Sequence, residues 1–167
     1  MPKFDIRDAL KEDLVPIVEI YNSNIPTHLA TADTKPITIE SRLQWFADHS
    51  PQKYPLWVVE NEDQQIVGWL GFQCFYGRIA YQKTAELSIY IHLDYQHQGI
   101  GKKLLEKAIE EGSKLGLKVL LGFIFAHNKA SLKLFTKYDF TEWGYLPQVA
   151  ELGGVERDLV IMGRKIS

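Results

Sequence analysis

The sequence predicts a mixed α/β fold, and three stretches of its 167 residues carry that expectation. Thr84 to His92 alternates as a strand, then come a glycine-bearing turn, an amphipathic stretch and the almost wholly apolar Val119 to Ala126. Strand, helix and strand within about 40 residues form a βαβ unit, hence two parallel strands with a right-handed crossover. A hairpin pattern precedes this unit, Leu56 to Glu60 and Ile66 to Phe72 around the polar turn Asn61-Glu62-Asp63-Gln64-Gln65. Phe140 to Tyr145 and Val155 to Gly163 come after it as a closing strand pair.

In chain order, Phe4 to Arg7 alternates like a short strand. Leu14, Ile17, Val18 and Tyr21 then recur at helical spacing, with Glu12 and Asp13 where a first turn favours acids. Pro16 requires that helix to start close by, because a deeper proline would break it. Asn22 to Pro36 reads as a loop long enough for a lid or binding role. Thr38 is a candidate N-cap for a second helix turning Leu43 and Phe46 inward. Phe75 to Lys83 has no period and reads as another loop. On the next strand, Ala85, Leu87, Ile89 and Ile91 share one face, and Glu86, Ser88, Tyr90 and His92 the other. Leu104, Leu105, Ala108 and Ile109 then make a helical stripe ending near Gly112 or Gly116. Asn128 is suited to cap a last helix carrying Leu132, Leu134 and Phe135.

One domain, residues 1–167, is expected, with no repeat or linker. Hydrophobic residues at 46% and charged residues at 24% are ordinary for a globular protein. A net charge of -2 supplies no basic field for nucleic acid or anionic membrane. No apolar run reaches the ~18 residues of a membrane span, and Met1 to Arg7 does not resemble a signal peptide, so a cytoplasmic protein is expected. The lone cysteine, Cys74, reads as a small buried hydrophobe rather than an acetyl-carrying nucleophile. His28 and His92 lack companions for a metal site, and no metal is expected.

The turn Gln96-His97-Gln98-Gly99-Ile100-Gly101 is the chain's most informative segment. Two glycines at a helix start leave amide donors uncovered at the positive end of the helix dipole, where a phosphate can sit. A P-loop would need glycine at 96 and Ser or Thr at 103, and a dinucleotide fingerprint a third glycine at 104; Gln96, Lys103 and Leu104 fail both. The loop alone leaves either a phosphate cradle of another kind or a plain turn needing positive φ.

Gln96-x-x-Gly99-x-Gly101 resembles the (Gln/Arg)-x-x-Gly-x-(Gly/Ala) motif of the GNAT N-acetyltransferases. The resemblance runs through Ile20-Tyr21-Asn22, Trp45-Phe46, Thr84 to Ile91, Asn128-Lys129-Ala130-Ser131 and Arg157-Asp158-Leu159, all in family order. It points to the phosphinothricin and methionine sulfone acetyltransferase-like branch. It implies a twisted, mostly antiparallel sheet with a splayed central parallel pair, acetyl-coenzyme A (acetyl-CoA) as cosubstrate, a small-molecule amine acceptor and a homodimer.

By that resemblance the backbone of Ile89, Tyr90 and Ile91 would pair with the pantetheine arm, and the amides of His97, Gln98, Gly99, Ile100, Gly101 and Lys102 would hold the pyrophosphate. A strand bulge near Leu87 to Ile89 would aim an N–H at the thioester oxygen. Asn128 matches a cofactor-contacting asparagine as well as an N-cap. Glu86 falls at the position of the base that takes the amine's proton, which an exposed glutamate at ~4.3 would do weakly and a buried one better. Phe135 stands where relatives carry a tyrosine or histidine acid, so the general acid is unassigned; Tyr138, one turn on, reads as packing. Tyr76, Arg78 and Tyr81 precede the catalytic strand in the loop the family uses for its acceptor, with Arg78 the candidate for an acidic group. The rival readings are acetylation of protein N-termini or polyamines, and a non-catalytic coenzyme A-binding regulatory domain.

Overall fold

The apolar periods resolve into seven strands and four helices in a computed structural model that describes residues 2–167; Met1, the start of the expected 1–167 domain, lies outside the described residues. In chain order these are β1 (Asp5–Asp8), α1 (Leu14–Asn24), α2 (Leu43–Ala47), β2 (Leu56–Glu60), β3 (Ile66–Cys74), β4 (Thr84–Ile91), α3 (Ile100–Lys114), β5 (Val119–Phe125), α4 (Lys129–Lys137), β6 (Thr141–Leu152) and β7 (Val155–Lys165). The strands make one sheet in the order β1-β2-β3-β4-β5-β7-β6. The β4–β5 pair is parallel and every other pair antiparallel.

The sheet has an apolar layer on each face. On one side Leu70, Phe72, Ala85 and Leu87 pack against Leu104, Leu105 and Ala108 of α3 and against Phe135 and Phe140. On the other, Leu56, Val58 and Trp69 meet Ile17, Ile20 and Tyr21 of α1. Each large apolar side chain so buried contributes roughly 1.5–3 kcal/mol. The helix α1 is tied down at its start: the Asp13 carboxylate accepts the Leu10 backbone N–H at 2.7 Å and two N–H groups of Arg7 at 2.7 and 3.0 Å. The helix α3 ends on Gly116, whose φ of +83° suits only a residue without Cβ strain.

Four local expectations need correction. The loop expected from Asn22 is helical to Asn24, with a further 3-10 turn at Ile25–Thr27. Thr38 does cap, accepting the Ser41 N–H at 3.2 Å, but it opens only a 3-10 turn and a five-residue α2. Over so short a helix the 3.6-residue period does not persist, and Leu43 is exposed while Trp45 and Phe46 pack inward. Cys74 is exposed, because it is the last residue of β3, where the chain leaves the sheet. Finally, β6 runs on to Leu152 instead of stopping at Tyr145. Pro147 is tolerated because β6 is the sheet edge and the register slips between Leu146 and Ala150.

Candidate active site: a split between two parallel strands

The parallel ladder holds from Thr84–Val119 to Leu87–Gly122 and then stops. Beyond it β4 stays paired to β3 as far as Ile91, and β5 to β7 as far as Phe125, so the two strands part and each exposes an edge. One hydrogen bond determines which groups line the β4 edge. Gly68 lies opposite Ile91, and the His92 N–H donates to the Val67 carbonyl at 2.8 Å. Antiparallel alternation then assigns the backbone groups of Tyr90, Ser88 and Glu86 to β3, and those of Leu87, Ile89 and Ile91 to the β5 side. The three-residue edge expected at 89–91 is therefore Ile89 and Ile91; Tyr90 is bonded away from the gap. The register of β3 with β4 has no slip, so the bulge expected near Leu87 to Ile89 is absent. The loss of β5 alone frees the Ile89 N–H. At the point of parting, a Cβ on Gly122 would lie 2.7 Å from the Phe135 ring, so glycine there lets α4 close on the sheet.

At the mouth of the split stands the glycine turn. His97 and Gly99 both have left-handed φ, 62° and 82°. The first amide of the helix to find a backbone acceptor is Lys103, at 3.1 Å from the Gly99 carbonyl. Among the described residues none of the N–H groups from His97 to Lys102 has a hydrogen-bond partner within the chain. A Cβ on Gly101 would come within 3.2 Å of Leu134 and 3.4 Å of Ile91, so this glycine lets α3 start hard against β4 and α4. Six uncovered amides at the start of a fifteen-residue helix can cradle a pyrophosphate, and an open strand edge beside them can take an amide-bearing arm. The residues fit coenzyme A.

Glu86 lies on the other side-chain face of β4, half-buried, directly across from Gln73. Its carboxylate has no hydrogen-bond partner among the described residues, and burial pushes its pKa up. Ser88 and Tyr90, further along the same face, line a cavity of about 180 Å³ with Gln73, Trp69, Tyr21, Trp45 and Arg42. Trp69 stacks on Tyr90 with ring centroids 4.9 Å apart, and Trp45 meets Trp69 edge-on at 5.4 Å. Burial raises the Tyr90 phenol well above its usual range, so it stays protonated and donates to the Ala30 carbonyl at 3.0 Å.

The segment after α1 spans the split like a strap. Tyr90 holds it at Ala30 from β4; from the end of β5, His127 reaches the His28 carbonyl at 2.6 Å and the Asn128 amide donates to Leu29 at 3.2 Å. The Tyr21 phenol adds bonds to Thr31, at 2.6 Å, and to Asp33. Asn128 also accepts the Ser131 N–H at 3.2 Å as the cap of α4, so both ends of its side chain are used inside the chain. The capping expectation holds.

The acceptor residues read from the loop do not reach the cavity. Tyr76, Arg78 and Tyr81 belong to a surface segment whose aromatic rings cluster with Phe75. Together with Gly77, Ile79 and Ala80 this segment borders a separate open depression. The cavity's charged residue, Arg42, was missed, as were Tyr21, Trp45 and Trp69. The three-residue spacing of Arg42 and Trp45 was the available signal, since that spacing lets a helix stack a guanidinium on an indole. Phe135 is buried against Phe140 and carries no proton to give. The Tyr138 phenol donates to Glu106 of α3 at 2.5 Å, and desolvation together with that carboxylate raises it to about 12. It staples α4 to α3 and does not face the cavity.

Residues 17–140 match the model of the acetyltransferase (GNAT) family. The chain belongs to that family, has its fold and is an acetyltransferase. Acetyl-CoA is the cosubstrate this family uses. A Bacillus subtilis (strain 168) protein provisionally named phosphinothricin acetyltransferase YwnH is 47% identical over 162 residues, 97% of this chain and 99% of that one. The L-methionine sulfoximine/L-methionine sulfone acetyltransferase of Salmonella typhimurium is 32% identical over 157 residues, 94% of this chain and 91% of that protein. A phosphinothricin acetyltransferase from Sinorhizobium meliloti, solved in complex with acetyl-CoA, superposes with a TM-score of 0.92 at 26% identity, covering 97% of this chain and 88% of that one. No helix among the described residues is long and apolar enough to cross a membrane, and no group of three metal-binding side chains occurs among them.

Proposed function

We propose that this protein, acting as one domain over residues 1–167, moves an acetyl group from acetyl-CoA directly to the primary amine of a small amino-acid-like acceptor. Phosphinothricin, methionine sulfone and methionine sulfoximine are the type. The observation that carries the reading is Glu86: half-buried, unpartnered and raised in pKa, on the same face of β4 as the cavity-lining Ser88 and Tyr90. The acceptor class comes from the named relatives, and the aromatic-lined cavity of about 180 Å³ on the Glu86 side of β4 is the place for it.

Each part of the site then has a task. The amides from His97 to Lys102 hold the pyrophosphate, and the Ile89 and Ile91 edge aligns the pantetheine arm. Acetyl-CoA when bound supplies the thioester carbonyl that the amine attacks. The Ile89 N–H faces the developing oxyanion. Glu86 takes the ammonium proton, directly or through water, so that the lone pair is free to attack. The leaving thiolate, with an ordinary thiol pKa near ~8.5, needs no dedicated acid. A polyamine fits less well, because the charged side chain lining the cavity is the cation Arg42.

The exposed Trp143, Tyr145, Leu146 and Val149 on β6 support a homodimer, and dependence on acetyl-CoA supports a cytoplasmic setting. The function is tested by following thiol release from acetyl-CoA over a panel of amino acids, methionine sulfone, methionine sulfoximine, phosphinothricin and polyamines. Turnover confined to the sulfone, sulfoximine and phosphinothricin group is expected. Turnover of polyamines alone, or none at all, overturns the acceptor assignment.

A further inference from the structure

Arg42 occupies an unusual position for a charged side chain. It lines the cavity, and its guanidinium makes no hydrogen bond to any described residue; the nearest carboxylate, Asp33, stands 3.7 Å away, beyond hydrogen-bond reach. Its Cζ lies 5.2 Å from the centroid of the Tyr21 ring and 5.6 Å from that of the Trp45 ring, both within cation–π range. Asp33, which also accepts from the Tyr21 hydroxyl, forms only this long ion pair with Arg42. A guanidinium close to two aromatic rings, with no hydrogen-bond partner among the described residues and lining a small cavity, is suited to a planar anion.

We infer that Arg42 recognises the acceptor by a two-point bond to its α-carboxylate, making it the residue that selects amino acids over simple amines. The inference rests on the amine-acetylation reading above. With the carboxylate on Arg42, the acceptor's carbon chain would lie against Trp69 and Tyr90. Its amine would point along β4 towards Ser88 and Glu86. The site would then hold a zwitterion end to end, cation to its acid and carboxylate to its base.

The test compares L-methionine sulfone with its decarboxylated counterpart, 3-(methylsulfonyl)propan-1-amine, in the wild type, Arg42→Gln and Arg42→Lys. Losing a charge-assisted pair should lower kcat/KM for the amino acid about 10- to 100-fold in Arg42→Gln, mainly through KM. The decarboxylated amine should lose a clearly smaller factor than the amino acid, since it never used the carboxylate contact. Arg42→Lys should recover only part of the loss, because an ammonium lacks the planar fork. Equal losses on both amines, or no loss on either, overturn the inference.

A second readout separates this inference from the function it rests on. Trp45 and Trp69 line the cavity, so binding of L-methionine sulfone can be followed by tryptophan fluorescence without turnover. If the wild type binds it saturably, Arg42→Gln does not, and neither acceptor is acetylated, the acceptor assignment fails and the Arg42 inference stands. If the wild type does not bind it, the inference falls.

Discussion

The Asn24 side chain, at the end of α1, donates to the Ile91 carbonyl at 3.2 Å and to the Ile20 carbonyl at 2.8 Å. One of the four backbone groups that Ile89 and Ile91 turn towards the split is thus already satisfied, and the helix that walls the cavity is bolted to the strand that carries Glu86. Asn24→Ala would leave a carbonyl without its donor in a buried place, at a cost of about 1–2 kcal/mol. Calorimetry should show Tm lowered by roughly 3–8 °C. An unchanged Tm would mean that the bond contributes nothing.

Glu86→Gln should lower kcat/KM by about 10²- to 10⁴-fold, with acetyl-CoA affinity unchanged. In the wild type, kcat/KM should rise with pH through the raised Glu86 pKa, since the base works only when ionised. Stability runs the other way. A carboxyl whose folded pKa is raised favours the folded state below its unfolded value, and that contribution is lost as pH rises through the folded value. Glu86→Gln should therefore match or exceed wild-type stability near pH 7, with the gap closing below roughly pH 4. Denaturant titrations at the two pH values check this, and a variant clearly less stable at neutral pH would contradict the burial argument.

Gly99→Ala meets no atom within 4 Å, so its only local penalty is the left-handed backbone at φ +82°. That penalty is about 1 kcal/mol, and it is relieved by moving amides out of the cradle. KM for acetyl-CoA should rise several-fold, about fivefold per kcal/mol, while KM for the acceptor stays put. If the acetyl-CoA KM does not move, the pyrophosphate binds elsewhere.

Asp13→Asn probes the start of α1. Burial alone would raise the Asp13 pKa, but Arg7 and the Leu10 N–H outweigh it and hold the carboxyl below its usual value. Its stabilisation should be complete above the unfolded pKa, about 3.9, and lost as pH falls through the lower folded value. The variant should be about 2–3 kcal/mol less stable at pH 7 by denaturant titration, and the difference should vanish in strong acid. A gap that persists at low pH would point to packing instead of charge.

Much of the fold was legible because it rests on short-range rules. Alternation along Thr84 to His92 separated the Glu86 face from the core face, and the apolar run at Val119 to Ala126 marked a strand covered on both sides; the strands observed are Thr84–Ile91 and Val119–Phe125. Asn128 was readable as a cap because capping needs only residues one turn apart. The length of β6 was not readable, since Pro147 argues against a strand unless the edge position and register slip are known. Nor was the exposure of Cys74, which depends on where β3 leaves the sheet.

By itself the sequence determined the class of most elements, the glycine turn ahead of α3 and the face of β4 that carries Glu86, because each depends on side-chain pattern within a few residues. Tertiary structure decided the rest. The parallel ladder ends at Leu87 and Gly122, and the alternation of β3 bonds hands Ile89 and Ile91, not Tyr90, to the open edge. The cavity is assembled from α1, α2, β3 and β4 and from Arg42 beside them, while the loop residues Tyr76, Arg78 and Tyr81 border a separate depression. No local rule brings residues 21, 42, 69 and 90 together. Two cores closing on opposite faces of one twisted sheet do so.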